Sequence, residues 1–199
     1  MALNFITMGA LERHQLISDY LNEVIASQPQ HPLMALLTSS LDISEGFRLY
    51  ASTLDDILSG NICDTAQPFL WRHLLLQQGQ AVAEVDLIEA QESWRVVALH
   101  EGRRAEGMNK AYTLAIHAPE TQQQDFEVRF LECPGVHFMA LWLHHADPLK
   151  DLWMAVAPDH TQLQKYSFVT EAEVVSALTP QAQAIKDFLL VPGNENTGG

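Results

Sequence analysis

Histidine is the residue type whose abundance first suggests chemistry in this chain of 199 residues. An imidazole can act as a general base or bind a metal ion near neutral pH. His137 and His145 lie on one face of a predicted strand, about 26 Å apart, so they cannot share a metal. Six of the nine histidines fall in the second half of the chain, at His100, His117, His137, His144, His145 and His160.

A predicted β-hairpin around Pro134-Gly135 brings His144 close to carboxylates. With a two-residue turn, Asp125 pairs with His144, and Asp147 follows in the next loop. A carboxylate beside a histidine can orient a general base or supply a second metal ligand. His144, Asp125 and Asp147 are therefore the candidate catalytic residues. The alternative is a polar pair at the end of a hairpin, without a functional role.

Cys133 lies beside Glu132 and His137 near the predicted turn, which raises the question of a Cys-His nucleophile. Alternation along the strands places Cys133 and His137 on opposite faces. We therefore interpret Cys133 as a small hydrophobic residue.

A basic segment stands out at residues 101 to 110, which we predict to be a loop. It carries Arg103, Arg104 and Lys110, together with two glycines, in an otherwise acidic chain. Such a loop could close over an anionic ligand or dock on an acidic partner. The alternative is a solvated connection that is charged for solubility.

Glu84 and Asp86 alternate with Val85 and Leu87 on a predicted strand. Two carboxylates on one face could act as an acid/base pair. The same alternation is expected of a solvated strand face.

The chain carries 25 acidic and 11 basic residues, a net charge of −14, spread along its whole length. This charge argues against nucleic acids and anionic membrane surfaces as partners. The sequence contains no phosphate-binding loop, dinucleotide-binding glycine motif, zinc-protease motif or serine-hydrolase motif. We predict no metal and no cofactor.

The first basic residue is Arg13, so the charged start of a secretory signal is missing. The longest apolar runs, such as 138 to 143, are far below the roughly 18 residues that span a bilayer. The two cysteines lack the C-x-x-C spacing of a zinc or redox site, which suggests that both are ordinary reduced thiols. We expect a soluble cytoplasmic protein.

Helices are predicted at both ends of the chain. Apolar residues at helical spacing between Leu16 and Ile25 predict the first, a short stretch at 33 to 37 a second, and a capping pair at Asp42 and Glu45 a third that runs to Gly60. Capping boxes that begin at Thr170 and Thr179 predict a C-terminal helix pair. Residues 192 to 199 are predicted to be a disordered tail.

The middle of the chain has the apolar runs and turn residues of strands. Residues 69 to 76 could be a helix or a strand, and we favour the strand. Further strands are predicted at 81 to 90, 94 to 100, 111 to 118, 125 to 133, 136 to 145, 151 to 157 and 163 to 169. In the hairpin register above, one core face pairs Phe126 with Leu143, Val128 with Leu141 and Phe130 with Met139.

These elements predict a single α+β domain over residues 1 to 191, with a mainly antiparallel sheet of six to eight strands. Its parts are a helical region at 1 to 60, the sheet at 69 to 169 and C-terminal helices at 170 to 191. For function we expect a non-enzymatic binding or protein-interaction module, whose partner is a protein, a second copy of the chain or a small anionic molecule. The alternative is a small-molecule enzyme with a His/Asp site between sheet and helices, with or without a metal ion.

Overall fold

The computed structural model describes residues 3–4, 9–27, 30, 40–91, 93–122, 124–156 and 161–190. Within these residues the chain is α+β, with a mostly antiparallel sheet, an N-terminal helix and a C-terminal helix, which confirms the predicted fold class. None of the described helices is both long enough and apolar enough to cross a membrane.

A single sheet organises the described part of the chain. Its strands are β1 (Leu3–Asn4), β2 (Asp42–Ile43), β3 (Phe47–Ala51), β4 (Gln67–Gln77), β5 (Gln80–Ala90), β6 (Ser93–Glu101), β7 (Phe126–Cys133), β8 (Phe138–His144), β9 (Leu152–Ala155) and β10 (Phe168–Val169). The spatial order is β10-β9-β8-β7-β3-β4-β5-β6, and the two-residue strands β1 and β2 pair with β7 and β4. The pairs are antiparallel except that β1 and β3 run parallel to β7.

Helices cover both faces of this sheet. In the described residues they are α1 (Ala10–Ser27), α2 (Leu54–Ser59), α3 (Ile62–Thr65), α4 (Arg103–His117) and α5 (Glu171–Leu189). Helix α4 packs on one face, against Phe47 and Phe130 among others. On the opposite face α1 packs over β4 and β5, and α5 packs over β8 and β9. The central strands β3 and β7 therefore lie between α1 and α5 on that face.

Helix α4 replaces the loop predicted at 101 to 110 and the strand predicted at 111 to 118, and both predictions were wrong. Ala105, Met108, Ala111 and Ala115 form one buried stripe at helical spacing. Gly102, with φ of 128°, ends β6 in a conformation that L-residues rarely adopt. Three of the four buried residues are alanines, whose small side chains give a weak hydrophobic pattern.

The predicted third N-terminal helix was also wrong. Strands β2 and β3 occupy its first half, and only α2 is helical, so residues 42 to 60 are not one helix. The capping box forms at Thr53 and Asp56, not at Asp42 and Glu45. Phe47 and Leu49 enter the core under α4 and Arg48 lies on the other face, which is the alternation of a strand. The first helix is confirmed as α1, whereas the helix predicted at 33 to 37 lies outside the described residues.

The C-terminal helix pair is one helix of 19 residues with Pro180 inside it. Thr170 forms its capping box with Glu173 as predicted. Thr179 caps nothing, because its hydroxyl donates to the carbonyl oxygen of Val175 at 2.8 Å. The apolar face of α5, with Val174, Leu178 and Ala182, continues past the proline. The predicted tail at 192 to 199 lies outside the described residues.

Most of the predicted strands are confirmed, including β4 at the ambiguous residues 69 to 76. The hairpin of β7 and β8 differs in register, with Phe130 opposite Leu141 and Val128 opposite Leu143. A 3₁₀ turn at Pro134–Val136 and a left-handed His137 lengthen the turn. The shift is two residues, so every side chain keeps its predicted face. The predicted core face of this hairpin is therefore correct, while its predicted pairs are wrong.

Candidate functional site

His144 does have a carboxylate partner, but it is neither of the predicted ones. Its Nδ1 lies 3.0 Å from Oδ2 of Asp151, and Glu127 is the residue opposite it across the hairpin. Asp125 lies just before β7, and the shifted register removes it from the predicted pairing with His144. Asp147 accepts a hydrogen bond from the Leu149 amide at 3.2 Å, where it begins a 3₁₀ turn. The predicted set of His144, Asp125 and Asp147 is thus replaced by His144 and Asp151.

Asp151 is a firmly held, buried carboxylate. Its side chain is 2% exposed. It accepts hydrogen bonds from Trp142 Nε1 at 2.6 Å and from the His145 amide at 2.8 Å, besides its contact with His144. Because a carboxylate only accepts, the proton of neutral His144 lies on Nδ1, and Nε2 keeps its lone pair. The His144 side chain is 27% exposed, and its Nε2 has no hydrogen bond to any described residue.

Two arginines lie side by side at the centre of the same sheet face. Trp71, Arg48, Arg129 and Trp142 are directly opposite one another on β4, β3, β7 and β8. Arg129 donates two hydrogen bonds to Glu127, at 2.8 and 2.7 Å. We call this row of four residues, with the neighbouring Tyr50, the arginine face.

Aromatic rings hold both guanidinium groups. Arg129 Cζ lies 4.7 Å from the ring centre of Trp142 and 4.8 Å from that of Tyr50. Arg48 Cζ lies 5.8 Å from Trp71 and 5.9 Å from Tyr50. Burial raises the pKa of Tyr50, so its phenol is uncharged at neutral pH. These ring contacts restrain the two cations without neutralising them.

Arg48 differs from Arg129 in having no carboxylate partner among the described residues. The half-buried Arg48 makes neither a hydrogen bond nor an ion pair with any residue that the structure describes. Acidic residues outnumber basic ones by more than two to one in this chain. A half-buried arginine beside a second arginine is therefore a local excess of positive charge, and none of its five N–H donors bonds to a described residue.

The opposite face of the sheet carries a buried ionic cluster beneath α4. Arg72 donates to both oxygens of Asp86, at 2.6 and 2.8 Å, and to Glu132 at 2.6 Å. Burial alone would lower the pKa of Arg72, but the hydrogen bond to Asp86 and the neighbouring carboxylates raise it above its ordinary value. Glu84 and Asp86 do share one face, as their spacing suggests, but they are buried in this cluster rather than solvated.

The predicted basic loop is the first part of α4, and its three cations separate. Arg104 is paired with Glu84, through Nε at 2.6 Å, and lies 3.7 Å from Glu132. Lys110 Nζ lies 4.1 Å from the ring centre of Tyr166. Arg103 is exposed at the start of the helix. The structure does not bring the three together, and an anion-binding role for them stays a prediction.

The cysteines are poor nucleophiles in this structure. Cys133 is buried, and burial raises its pKa to about 12, which agrees with its interpretation as a small hydrophobic residue. Burial and the carboxylates of Glu171 and Asp151 also raise the pKa of Cys63. Neither thiol therefore ionises near neutral pH.

Sequence reasoning missed Asp151, Arg48 and Arg129. A sequence signal for the two arginines does exist, since each lies between two apolar residues within its strand.

No group of three or more histidine, cysteine or acidic residues in the described ranges could hold a metal ion. Comparisons with protein-family models, curated proteins and solved structures find nothing that matches this chain.

Proposed function

We propose that this chain is a non-enzymatic binding protein for a small anionic molecule, which it holds at the arginine face. The observation that supports the proposal is Arg48, a half-buried guanidinium that lies opposite a second arginine and has no carboxylate partner in the described chain. Like charges directly opposite each other on neighbouring strands are destabilising. A bound anion would relieve this repulsion.

The chemistry of the two side chains suits an oxyanion. A guanidinium presents several donors in one plane, and charge-assisted hydrogen bonds to carboxylate or phosphate oxygens are stronger than neutral ones. Because Glu127 already holds Nε and Nη2 of Arg129, most free donors belong to Arg48. The half-buried ring of Trp71 beside Arg48 can make apolar contact with the carbon part of a ligand.

The position of the site favours a small molecule over a protein surface. Arg48 and Arg129 lie on the central strands, between α1 on one side and α5 on the other. Any ligand must enter between these two helices, and this position favours a small anion over an extended partner. An acidic protein partner, or a second copy of the chain, is an alternative that sedimentation of the purified protein tests.

Calorimetric titration of the full chain with inorganic phosphate and pyrophosphate, at fixed ionic strength, tests the proposal. We expect Arg48→Gln to weaken binding about tenfold, because a hydrogen bond to a charged group contributes about 1.5 kcal/mol or more. Arg95→Gln is the matched control, since it removes the same charge from an exposed position on β6. Equal affinities of the wild type and the Arg48 variant would contradict the proposal.

A small-molecule enzyme is the second candidate, and the pair of His144 and Asp151 favours it. A histidine oriented by a buried carboxylate, with its second nitrogen unpartnered in the described chain, is a suitable general base. Hydrolysis of p-nitrophenyl phosphate by the wild type would favour the enzyme, provided that His144→Gln loses this activity and still binds phosphate.

We also propose a cytoplasmic location, which the two free cysteines support.

A further inference from the structure

Glu127 partly neutralises the arginine face. It accepts from Nε and Nη2 of Arg129, at 2.8 and 2.7 Å, and Arg129 lies directly opposite Arg48 on the neighbouring parallel strand. The side chains of Arg129 and Glu127 are 15% and 26% exposed, so both are within reach of a ligand from solvent. The two guanidinium groups and this carboxylate together carry one net positive charge, which is that of Arg48.

The phenol of Tyr50 is sensitive to the same three charges. Burial is the largest effect on its pKa and raises it, and the carboxylate of Glu127 raises it further. The guanidinium groups of Arg129 and Arg48 act in the opposite direction and lower the pKa. The two cations and the carboxylate therefore act together on one small region of the sheet face.

Two further charged side chains lie near this row. Arg13, on α1, lies over the ring of Trp71, with its Cζ 4.3 Å from the ring centre, and the carboxylates of Glu45 and Glu89 are its neighbouring charges. Asp151, at the β8 end, is buried and is held by its own hydrogen-bond donors. Neither residue adds a free positive charge to the arginine face.

A half-buried site with one net positive charge favours a ligand with one negative charge. The attraction between the ligand and the site grows in proportion to the charge of the ligand. The cost of removing the ligand from water grows with the square of that charge. A dianion therefore gains about twice the attraction for about four times the desolvation cost, and its second charge lies beside Glu127 without a partner.

We infer that the arginine face binds a singly charged oxyanion, such as the carboxylate of an organic acid, and that Glu127 sets this preference against doubly charged anions. This inference rests on the proposed anion-binding function. The half-buried ring of Trp71 beside Arg48 provides apolar contact for the carbon that carries the charged group. Inorganic phosphate, which carries one or two charges near neutral pH, still serves as a probe of binding itself.

Methanesulfonate and sulfate test the preference, because both have a tetrahedral sulfur group and they carry one and two negative charges throughout the neutral pH range. The titrations follow the Arg48 Nε resonance by NMR at pH 7.5 and fixed ionic strength. We expect the wild type to bind methanesulfonate about threefold more tightly than sulfate. In Glu127→Gln, methanesulfonate should gain about threefold and sulfate about ninefold in affinity, because repulsion by Glu127 is proportional to the charge of the ligand. The two anions should then bind about equally.

Two further variants separate the role of Glu127 from that of the overall charge. Glu127→Asp keeps the carboxylate and should keep the preference for methanesulfonate. Glu120→Gln removes an exposed acid and should leave the ratio of the two affinities unchanged. Any contact made by the methyl group of methanesulfonate is the same in every variant, so it does not affect the comparison between them.

The outcomes separate the inference from the proposed function. If sulfate binds the wild type more tightly, or if Glu127→Gln leaves the affinity ratio unchanged, the charge assignment is overturned. Anion binding itself stands in that case, provided that Arg48→Gln weakens both anions. An equal change of the ratio in Glu120→Gln overturns the role of Glu127 as well. If neither anion binds, or if Arg48→Gln changes nothing, the proposed function itself fails.

Discussion

Arg48 on β3 lies directly opposite Arg129 on the parallel strand β7. Of these two arginines, only Arg129 has a carboxylate partner among the described residues. A tryptophan flanks each arginine in the same cross-strand row. The aromatic contacts explain how two cations persist side by side on a sheet. Arg48 has no counter-charge among the described residues, and this is the basis of the proposed function.

Removing the carboxylate beside Arg129 should strengthen anion binding. In Glu127→Gln both guanidinium groups lack a counter-charge, so we expect phosphate to bind about threefold more tightly, a gain typical of one partly exposed ion pair. Calorimetry measures this change. Glu120→Gln removes an exposed acid with the same change in net charge and is the control. An equal gain in both variants would mean that only the overall charge matters.

Arg72 should contribute strongly to stability. Arg72→Leu leaves Asp86 buried without its bidentate cation, which typically costs about 3 to 5 kcal/mol. Urea unfolding measures the loss, and Arg103→Leu, at an exposed position, should stay within about 0.5 kcal/mol of the wild type. A small effect of Arg72→Leu would show that the cluster is not a buried ionic network in solution.

His73 should make the protein less stable below neutral pH. Burial lowers its pKa from about 6.5 to about 4, and neutral His73 is held by Arg13 Nε at 3.2 Å and by the Ser44 carbonyl at 2.9 Å. The unfolded state therefore binds a proton as pH falls below about 6.5, while the folded state does not until about pH 4. The stabilisation from neutral His73 is fully present above its unfolded-state pKa of about 6.5. About 2 kcal/mol of unfolding free energy is lost between pH 7 and pH 5.

Unfolding free energies of the wild type and His73→Gln across this range check the prediction. The variant should show a flatter dependence on pH, whatever its stability at pH 7. Parallel curves for the two proteins would assign the acid sensitivity to other groups.

Two threonines test whether residues 171 to 189 form one continuous helix. Thr170→Ala removes a capping box and should cost about 1 kcal/mol of unfolding free energy. Thr179→Ala should cost much less, because Thr179 lies inside α5 and bonds only to the Val175 carbonyl. Thermal unfolding compares the two variants. Equal losses would support two separate helices.

The fold could be predicted where one signal dominated a segment, as in α1 and β5. Helix α4 could not, because its buried stripe consists largely of alanines, which carry little hydrophobic pattern. Helix α5 was divided at Pro180 in the prediction, since local sequence shows a capping box there. Packing of Val174 and Leu178 on the sheet favours one continuous helix.

The site could be predicted only in part, because its contacts depend on strand register and on residues far apart in sequence. His144 stood out by residue type, but its partner depended on the hairpin register, and the left-handed His137 lengthened the turn. Asp151 comes from the following loop, where no periodicity indicates contact. Arg48 and Arg129 meet through the parallel pairing of β3 and β7, which are far apart in sequence, and such pairings leave no local pattern.

The most direct test of anion binding follows the arginine Nε resonances by NMR during a titration with inorganic phosphate. Arg48→Gln, Arg129→Gln and Arg95→Gln assign the three signals. The proposal predicts that the Arg48 and Arg129 resonances shift with one common dissociation constant, while that of Arg95, exposed on β6, stays in place. A stationary Arg48 resonance, or equal shifts of all three, would contradict it.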